Sequence, residues 1–274
     1  MILLSFHNKP EVIVRVPMRM MNVMLLLDPK FWRIPTWPKQ AVSSYSVYVS
    51  SCLPDILGKH TYPNDLADAI NQPDFTQLIQ QFIYDESGSH SDSETSSAPQ
   101  DLPTFYEKIT VFTSAVTTFC APSDISGIGG MRCERIHAVD TWRNGPGRYD
   151  CIFVSTDPSA EGMRGFDIAR VRLLFSFKHE GAKYPCALIH WYSRIGDSVD
   201  ENTGMWTVKP DILEDGSPFA SVIHLNTIFR AAHLLPVYGD EFVPTYLSFT
   251  QSLDAFNAYY VNKYIDHHAF EIAF

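Results

Sequence analysis

Residues 166–177 read FDIARVRLLFSF, and their alternation decides the fold class. Successive side chains of a strand point to opposite faces. Ala169, Val171, Leu173, Phe175 and Phe177 therefore share one side, and Arg170, Arg172 and Ser176 share the other. The first face is expected in a core and the second in water. Short runs rich in Val, Ile, Thr, Phe and Tyr recur on either side of this strand, over 109–119, 131–139, 149–156, 184–194, 204–209 and 219–225. Gly145-Pro146-Gly147, Gly162, Gly165, Gly181 and Gly216-Ser217-Pro218 punctuate them, and 123–130 (SDISGIGG) reads as another turn. Strands this short, with polar residues interleaved, favour an antiparallel small β-barrel or sandwich over a parallel sheet.

Helical spacing appears at both ends of the strand-rich region, so the class is α+β. Thr250 or Ser252 can cap a segment in which Leu253, Phe256, Tyr259, Tyr260 and Tyr264 line one side, which predicts a C-terminal helix ending before His267. Upstream, Asn64 can cap a short helix reaching Ile70, and Pro73 suits the first turn of a second. In that second helix Phe75, Leu78, Ile79, Phe82 and Ile83 make one apolar stripe that requires a partner. A strand is expected over 11–16, and residues 17–61 carry no clear period.

The chain has 274 residues and a formal charge of −10, which disfavours non-specific binding to phosphate backbones. Five of its acidic side chains fall in 85–101, a stretch with no Lys or Arg and few apolar residues. Such a segment cannot offset the entropy of ordering its backbone and reads as a linker. The expected organisation is an N-terminal segment over 1–84, the linker over 85–101, and a β-rich domain with its C-terminal helix over 102–274. Five cysteines without CxxC spacing fit neither a disulfide scaffold nor a zinc ribbon and suit a reducing compartment. The apolar run 23–27 is too short for a membrane span and is followed by Asp28-Pro29-Lys30 where a signal peptidase would need small residues. A nuclear or cytoplasmic protein that is not secreted is expected.

Catalytic signatures are thin. There is no GxSxG elbow, no GxxxxGK[ST] loop and no HExxH helix, so no catalytic residue, metal or cofactor is expected. His190, His224, His233, His267 and His268 lack ligand spacing, and Asp197, Asp200 and Glu201 read as a solvated turn. A metal-dependent nuclease or hydrolase would need His224, His233 or those carboxylates to converge. Cys151 and Cys186 look like small core fillers.

The candidate binding residues are Trp191, Tyr192 and Trp206, which fall on neighbouring predicted strands and could offer rings to a peptide or a base. Packing in the core is the competing reading. Arg170 and Arg172 join them as candidates because seven arginines and no lysine fall between Arg132 and Arg172. That choice suits bidentate contacts with carboxylate or phosphate. Six acidic residues share the interval, so internal ion pairing explains it at least as well.

Five runs carry a family resemblance. They are FTSAVTTFCAPSDISGIGGMRCERIHAVDTWRNGPGRYDCIFVSTDP, GMRGFDIARVRLLFSF, YPCALIHWYSRIGDSVDENTGMWTVKP, SVIHLNTIFRAAHLLPVYG and YYVNKYIDHHAFEIAF. Together they resemble the C-terminal region of Plavaka-type transposon-encoded proteins of mushroom-forming fungi, related to CACTA elements, over about Leu66 to Phe274. The run from Ala187 to Pro210 also resembles, at the level of pattern, small barrels near the ends of plant CACTA transposases and chromatin-reading barrels of the bromo-adjacent homology kind. In that family the nuclease core lies upstream, so the resemblance transfers no catalytic residue. It implies a non-catalytic terminal module that contacts an upstream transposase domain or a chromatin protein, with at most a local DNA contact. A docking tail, or a degenerate fragment without independent function, is the other outcome it allows.

Overall fold

The computed structural model describes residues 46–50, 61–87, 102–124, 127, 129–239, 242, 243 and 245–274. The strand expected over 11–16 and most of the expected linker lie outside the described residues. In chain order the elements are β1 (Ser46–Ser50), α1 (Pro63–Ala67), α2 (Phe75–Glu86), β2 (Thr110–Phe112), β3 (Ser114–Cys120), β4 (Met131–Val139), β5 (Arg148–Tyr149) and β6 (Cys151–Ser155). They continue through β7 (Phe166–His179), β8 (Ala182–Arg194), β9 (Thr207–Pro210), β10 (Ala220–His224), β11 (Ile228–Ala232), β12 (Leu234–Pro236), β13 (Tyr259–Val261) and α3 (His267–Ile272).

Every strand pairing is antiparallel. One sheet has the order β1-β3-β4-β5; the other runs β11-β6-β7-β8-β9-β13-β12, with β10 also on β8 and β2 also on β7. The nine-stranded sheet curls into a nearly closed, barrel-like form, with helices at its N-terminal and C-terminal ends. The expected class, mainly antiparallel with few helices, is the one observed.

Strand β7 departs from the simple alternation of its sequence. Val171 lies opposite Ile189 and Leu173 lies opposite Leu188, so Arg172 is the extra residue of a β-bulge. The bulge changes which parity faces inward. Ala169, Val171 and Leu174 pack with Ala115, Ile136, Ala187 and Ile189 between the two sheets. Leu173, Phe175 and Phe177 face the other way, where Phe75, Ile79, Phe82 and Ile83 of α2 cover them. Neither face of β7 is wet: α2 covers Leu173, Phe175 and Phe177, while Arg170 and Ser176, expected in water, are buried as well. Phe75 meets Phe175 edge-on at 5.2 Å, and each such buried ring contributes roughly 1.5–3 kcal/mol. A third core gathers Phe153, Ile168, Tyr192, Trp206, Val208 and Tyr259.

The helix starts and the C-terminal segment need correction. α1 begins at Pro63 with no side-chain cap, and Asn64 instead accepts from Thr76 Oγ1 at 2.5 Å. Pro73 lies ahead of the Asp74 cap of α2. The helix expected across Leu253 to Tyr264 is not formed: Phe249–Gln251 is a single 3-10 turn, and Tyr259–Val261 is β13, bridging β12 and β9. Tyr259 and Val261 alternate into the third core, so burial with period two overrides the helical spacing. The C-terminal helix is α3, which Asp266 caps by accepting from the Ala269 N–H at 2.7 Å.

That cap belongs to a buried ionic knot. Arg230, 2% exposed, donates to both carboxylate oxygens of Asp266 at 2.9 and 2.6 Å, to Glu134 of β4 at 2.6 Å and to His268 Nδ1 at 3.1 Å. Burial opposes the ionised form of Asp266, but Arg230 and the Ala269 N–H overcome it and hold its carboxyl at about 2. His268 stacks on Phe119 at 4.7 Å, and burial followed by the charge of Arg230 lowers it to about 4. α3 is thereby fastened to both sheets.

Candidate functional site

Strand β8 changes partner at Trp191. Up to His190 it pairs with β10, and from Tyr192 to Arg194 it pairs with β9. At the fork, the Trp191 N–H donates to Phe219 O at 3.1 Å and the Asp211 N–H donates to Trp191 O at 3.0 Å. The 211–219 segment thus projects as a hairpin, closed by Phe219 N–H to Asp211 O at 2.8 Å and turned at Gly216, whose φ is +86°. Facing it is the loop 156–165, drawn shut where the Thr156 and Asp157 N–H groups both donate to Gly165 O at 3.1 and 3.2 Å. A Cβ at Gly165 would stand 2.8 Å from Asp157 O, so this closure requires glycine.

Between hairpin and loop lies a cleft of about 910 Å3. Trp191, Tyr192, Trp206 and Phe219 contribute to its walls, together with Asp157, Asp167, Asp197 and Asp211 and only two cations, Arg164 and Arg194. All three predicted aromatic candidates therefore border one cavity, but unequally. Tyr192 and Trp206 are 5% and 4% exposed and belong mainly to the third core. Burial raises the Tyr192 hydroxyl far above its ordinary value and keeps it protonated. Trp191 is half-buried, anchored by its Nε1–H to Ser221 Oγ at 2.9 Å, while Phe219 is 45% exposed at the hairpin base. Trp191 also packs against the core between the two sheets, so Phe219 is the more exposed aromatic residue of the cleft lining.

Its electrostatics are acidic. Arg194 lies 3.9 Å from Asp167 and 6.0 Å from the centre of the Trp206 ring, so one cation is already engaged. Asp157 accepts from Ser159 Oγ and N–H at 2.6 and 2.9 Å, and these bonds lower its carboxyl below the ordinary value. A cleft with four carboxylates against two guanidiniums, and aromatic faces between them, favours a cation over a phosphate.

Arg170 and Arg172 do not reach this cleft. Arg170 pairs with Asp254 at 2.5 Å and Arg172 lies 4.3 Å over the ring of Tyr149. Burial and then Arg170 lower Arg172, although a guanidinium remains charged at neutral pH. Burial, Arg172 and Arg170 in that order lower the adjacent His190 to about 4. Arg132 pairs with Asp124 and Arg148 with Asp150, so much of the arginine-rich interval serves internal ion pairs.

The remaining polar candidates are dispersed. His224 Nδ1 accepts from the Asn226 N–H at 3.1 Å, His233 Nδ1 meets Asn262 Nδ2 at 3.1 Å, and Asp200 closes a turn on Thr203. Among the described residues no group of three or more His, Cys, Asp or Glu side chains is placed to hold a metal. Cys151 and Cys186 are core fillers, with burial pushing the Cys151 thiol up to about 12. No helix among the described residues is long and apolar enough to cross a membrane.

Sequence reasoning missed Phe219, Asp211 and the 156–167 carboxylates as cleft residues. A signal existed for the first two, because Asp215-Gly216 flanked by strand runs is a hairpin pattern. Comparison with family models, curated proteins and solved structures finds no match to this chain.

Proposed function

We propose that the protein is a non-catalytic interaction module that takes a basic segment of a protein partner into the Trp191–Phe219 cleft. The observation that carries this reading is the composition of that cleft: an exposed Phe219 and a half-buried Trp191 bordered by four carboxylates and two guanidiniums, one of them ion-paired. Lys and Arg side chains gain from such an environment by Coulomb attraction at the rim and by cation–π contact with an indole face. A phosphate backbone meets net repulsion there. The resemblance to terminal regions of transposon-encoded proteins gives the biological setting: a nuclear protein whose partner is a basic chromatin tail or a basic stretch of an upstream transposase domain.

Titration of the full chain with a Lys/Arg-rich histone-tail peptide, an acidic peptide of equal length and a short DNA duplex tests the reading, with tryptophan fluorescence and calorimetry as readouts. Salt-sensitive binding of the basic peptide alone is the expected result. Absence of binding, or preference for the duplex, overturns it.

A further inference from the structure

The two walls of the cleft are joined from behind by one atom. The backbone oxygen of Phe274 accepts from Trp206 Nε1–H at 3.2 Å and from the Met163 N–H at 3.5 Å. Trp206 belongs to the β9 side of the cleft, whereas Met163 lies in the 3-10 turn Gly162–Gly165, on the loop that supplies Asp157, Ala160 and Arg164 to the opposite side. The approach is close enough to exclude a side chain: a Cβ on Gly162, whose φ is +63°, would stand 2.9 Å from that oxygen and 3.1 Å from the Phe274 ring. The two donor residues, Met163 and Trp206, are 0% and 4% exposed, while the acceptor residue Phe274 is 59% exposed, so the tie is held from its buried donor side.

What holds Phe274 there is α3. Its start is fixed by Asp266 to Arg230, and its inner face is fixed by the buried His268 and Ala269. The strut therefore runs from the ionic knot on β4 and β11, through one short helix, to the back of the cleft.

We infer that the segment 266–274 is a positioning element for the cleft, setting the distance between the 156–165 loop and the Trp206 wall through the Phe274 backbone oxygen. The inference rests on the reading of the cleft as a binding site, but its first readout does not depend on that reading. Trp206 and Gly162 are positioning residues in this scheme: one donates the tie, and the other gives it room.

The test uses the full chain with Trp206→Phe, which removes the donor and keeps a ring, and Gly162→Ala, which pushes Phe274 away. Phe270→Ala, at an exposed position of α3, is the control. Hydrogen exchange of the 156–165 amides is expected to quicken by about fivefold in both cleft variants, the size of one lost hydrogen bond. Amides of β7 and β8 should remain at wild-type protection, and the control should behave as wild type throughout. Affinity for the Lys/Arg-rich peptide should fall by a similar factor in Gly162→Ala, which touches no lining ring. If exchange in 156–165 is unchanged in both variants while both fold, the positioning role is overturned. If exchange quickens but wild type binds no basic peptide, the strut stands and the binding reading fails. Should Trp206→Phe not fold, Gly162→Ala alone decides the outcome by the same exchange measurement.

Discussion

Trp191 and Phe219 are joined by a backbone hydrogen bond of 3.1 Å at the point where β8 passes from one partner strand to the next. The gap between β10 and β9 is what places an indole and an exposed phenyl ring beside four carboxylates.

Removing the indole should therefore separate binding from folding. Trp191→Ala is expected to weaken the basic peptide by about tenfold or more, since central aromatic anchors dominate such interfaces. Its stability cost is expected to be about 1–3 kcal/mol, because the side chain is only half-buried. Calorimetric titration beside urea unfolding of the same samples reads both quantities.

Charge at the rim should act on rate and salt dependence. The double substitution Asp197→Asn and Asp211→Asn is expected to lower peptide affinity about threefold to tenfold at low salt, and much less at high salt, where exposed charges are screened. Stopped-flow association at two ionic strengths checks this. An unchanged salt dependence would exclude these two carboxylates from the encounter.

The Arg230 knot makes the opposite kind of prediction, large in stability. Arg230→Met leaves Glu134 and Asp266 buried without their cation and is expected to cost about 3–5 kcal/mol in urea unfolding. Adding Glu134→Gln and Asp266→Asn in the same chain should recover part of that loss, because the desolvated charges go with the arginine.

Acid should destabilise the fold well above the carboxylate range. His268 and His190 are held near 4 in the folded chain, below the ordinary histidine value of 6.5. The unfolded chain consequently takes up these protons first. Their contribution is complete above about pH 6.5 and is lost as pH falls toward 4, by on the order of 3 kcal/mol for each group. Asp266, held at about 2, adds to the loss only as pH approaches and passes below the ordinary carboxylate value of 3.8, where the unfolded chain takes up its proton. Urea midpoints between pH 7 and 4.5 measure it, and His268→Gln should flatten the profile.

Thiol reactivity should follow burial. Among the described cysteines, Cys133 is exposed and is expected to alkylate first, followed by the half-buried Cys120. Cys151 and Cys186 should react only as the fold opens, which mass spectrometry after iodoacetamide treatment can time.

The strand-rich region was largely legible because β4, β7, β8 and β10 carry β-branched and aromatic runs bounded by turn residues. The apolar stripe of α2 was equally plain, and it finds the partner it required. Two kinds of feature were not legible. Tyr259, Tyr260 and Tyr264 satisfy a helical spacing, and only the long-range pairing of β13 with β12 and β9 decides for a strand. The carboxylates of the cleft come from four separate places in the chain, and no local spacing announces their convergence. Arg170 and Arg172, by contrast, looked available in sequence and are drawn to Asp254 and Tyr149.

The bulge at Arg172 has a consequence for how this chain tolerates change. Ahead of it odd-numbered residues of β7 fill the space between the sheets, and beyond it even-numbered Leu174 does so. The strand is two segments joined out of phase by one residue. Deleting Arg172 would iron out the bulge and leave Leu173, Phe175 and Phe177 facing α2, because Val171 and Leu173 already lie opposite the consecutive residues Ile189 and Leu188 of β8. What matters is the phase: pairing the intact β7 with β8 without the bulge would turn Leu173, Phe175 and Phe177 from α2 toward the space between the sheets, exchanging two interiors with no change of sequence.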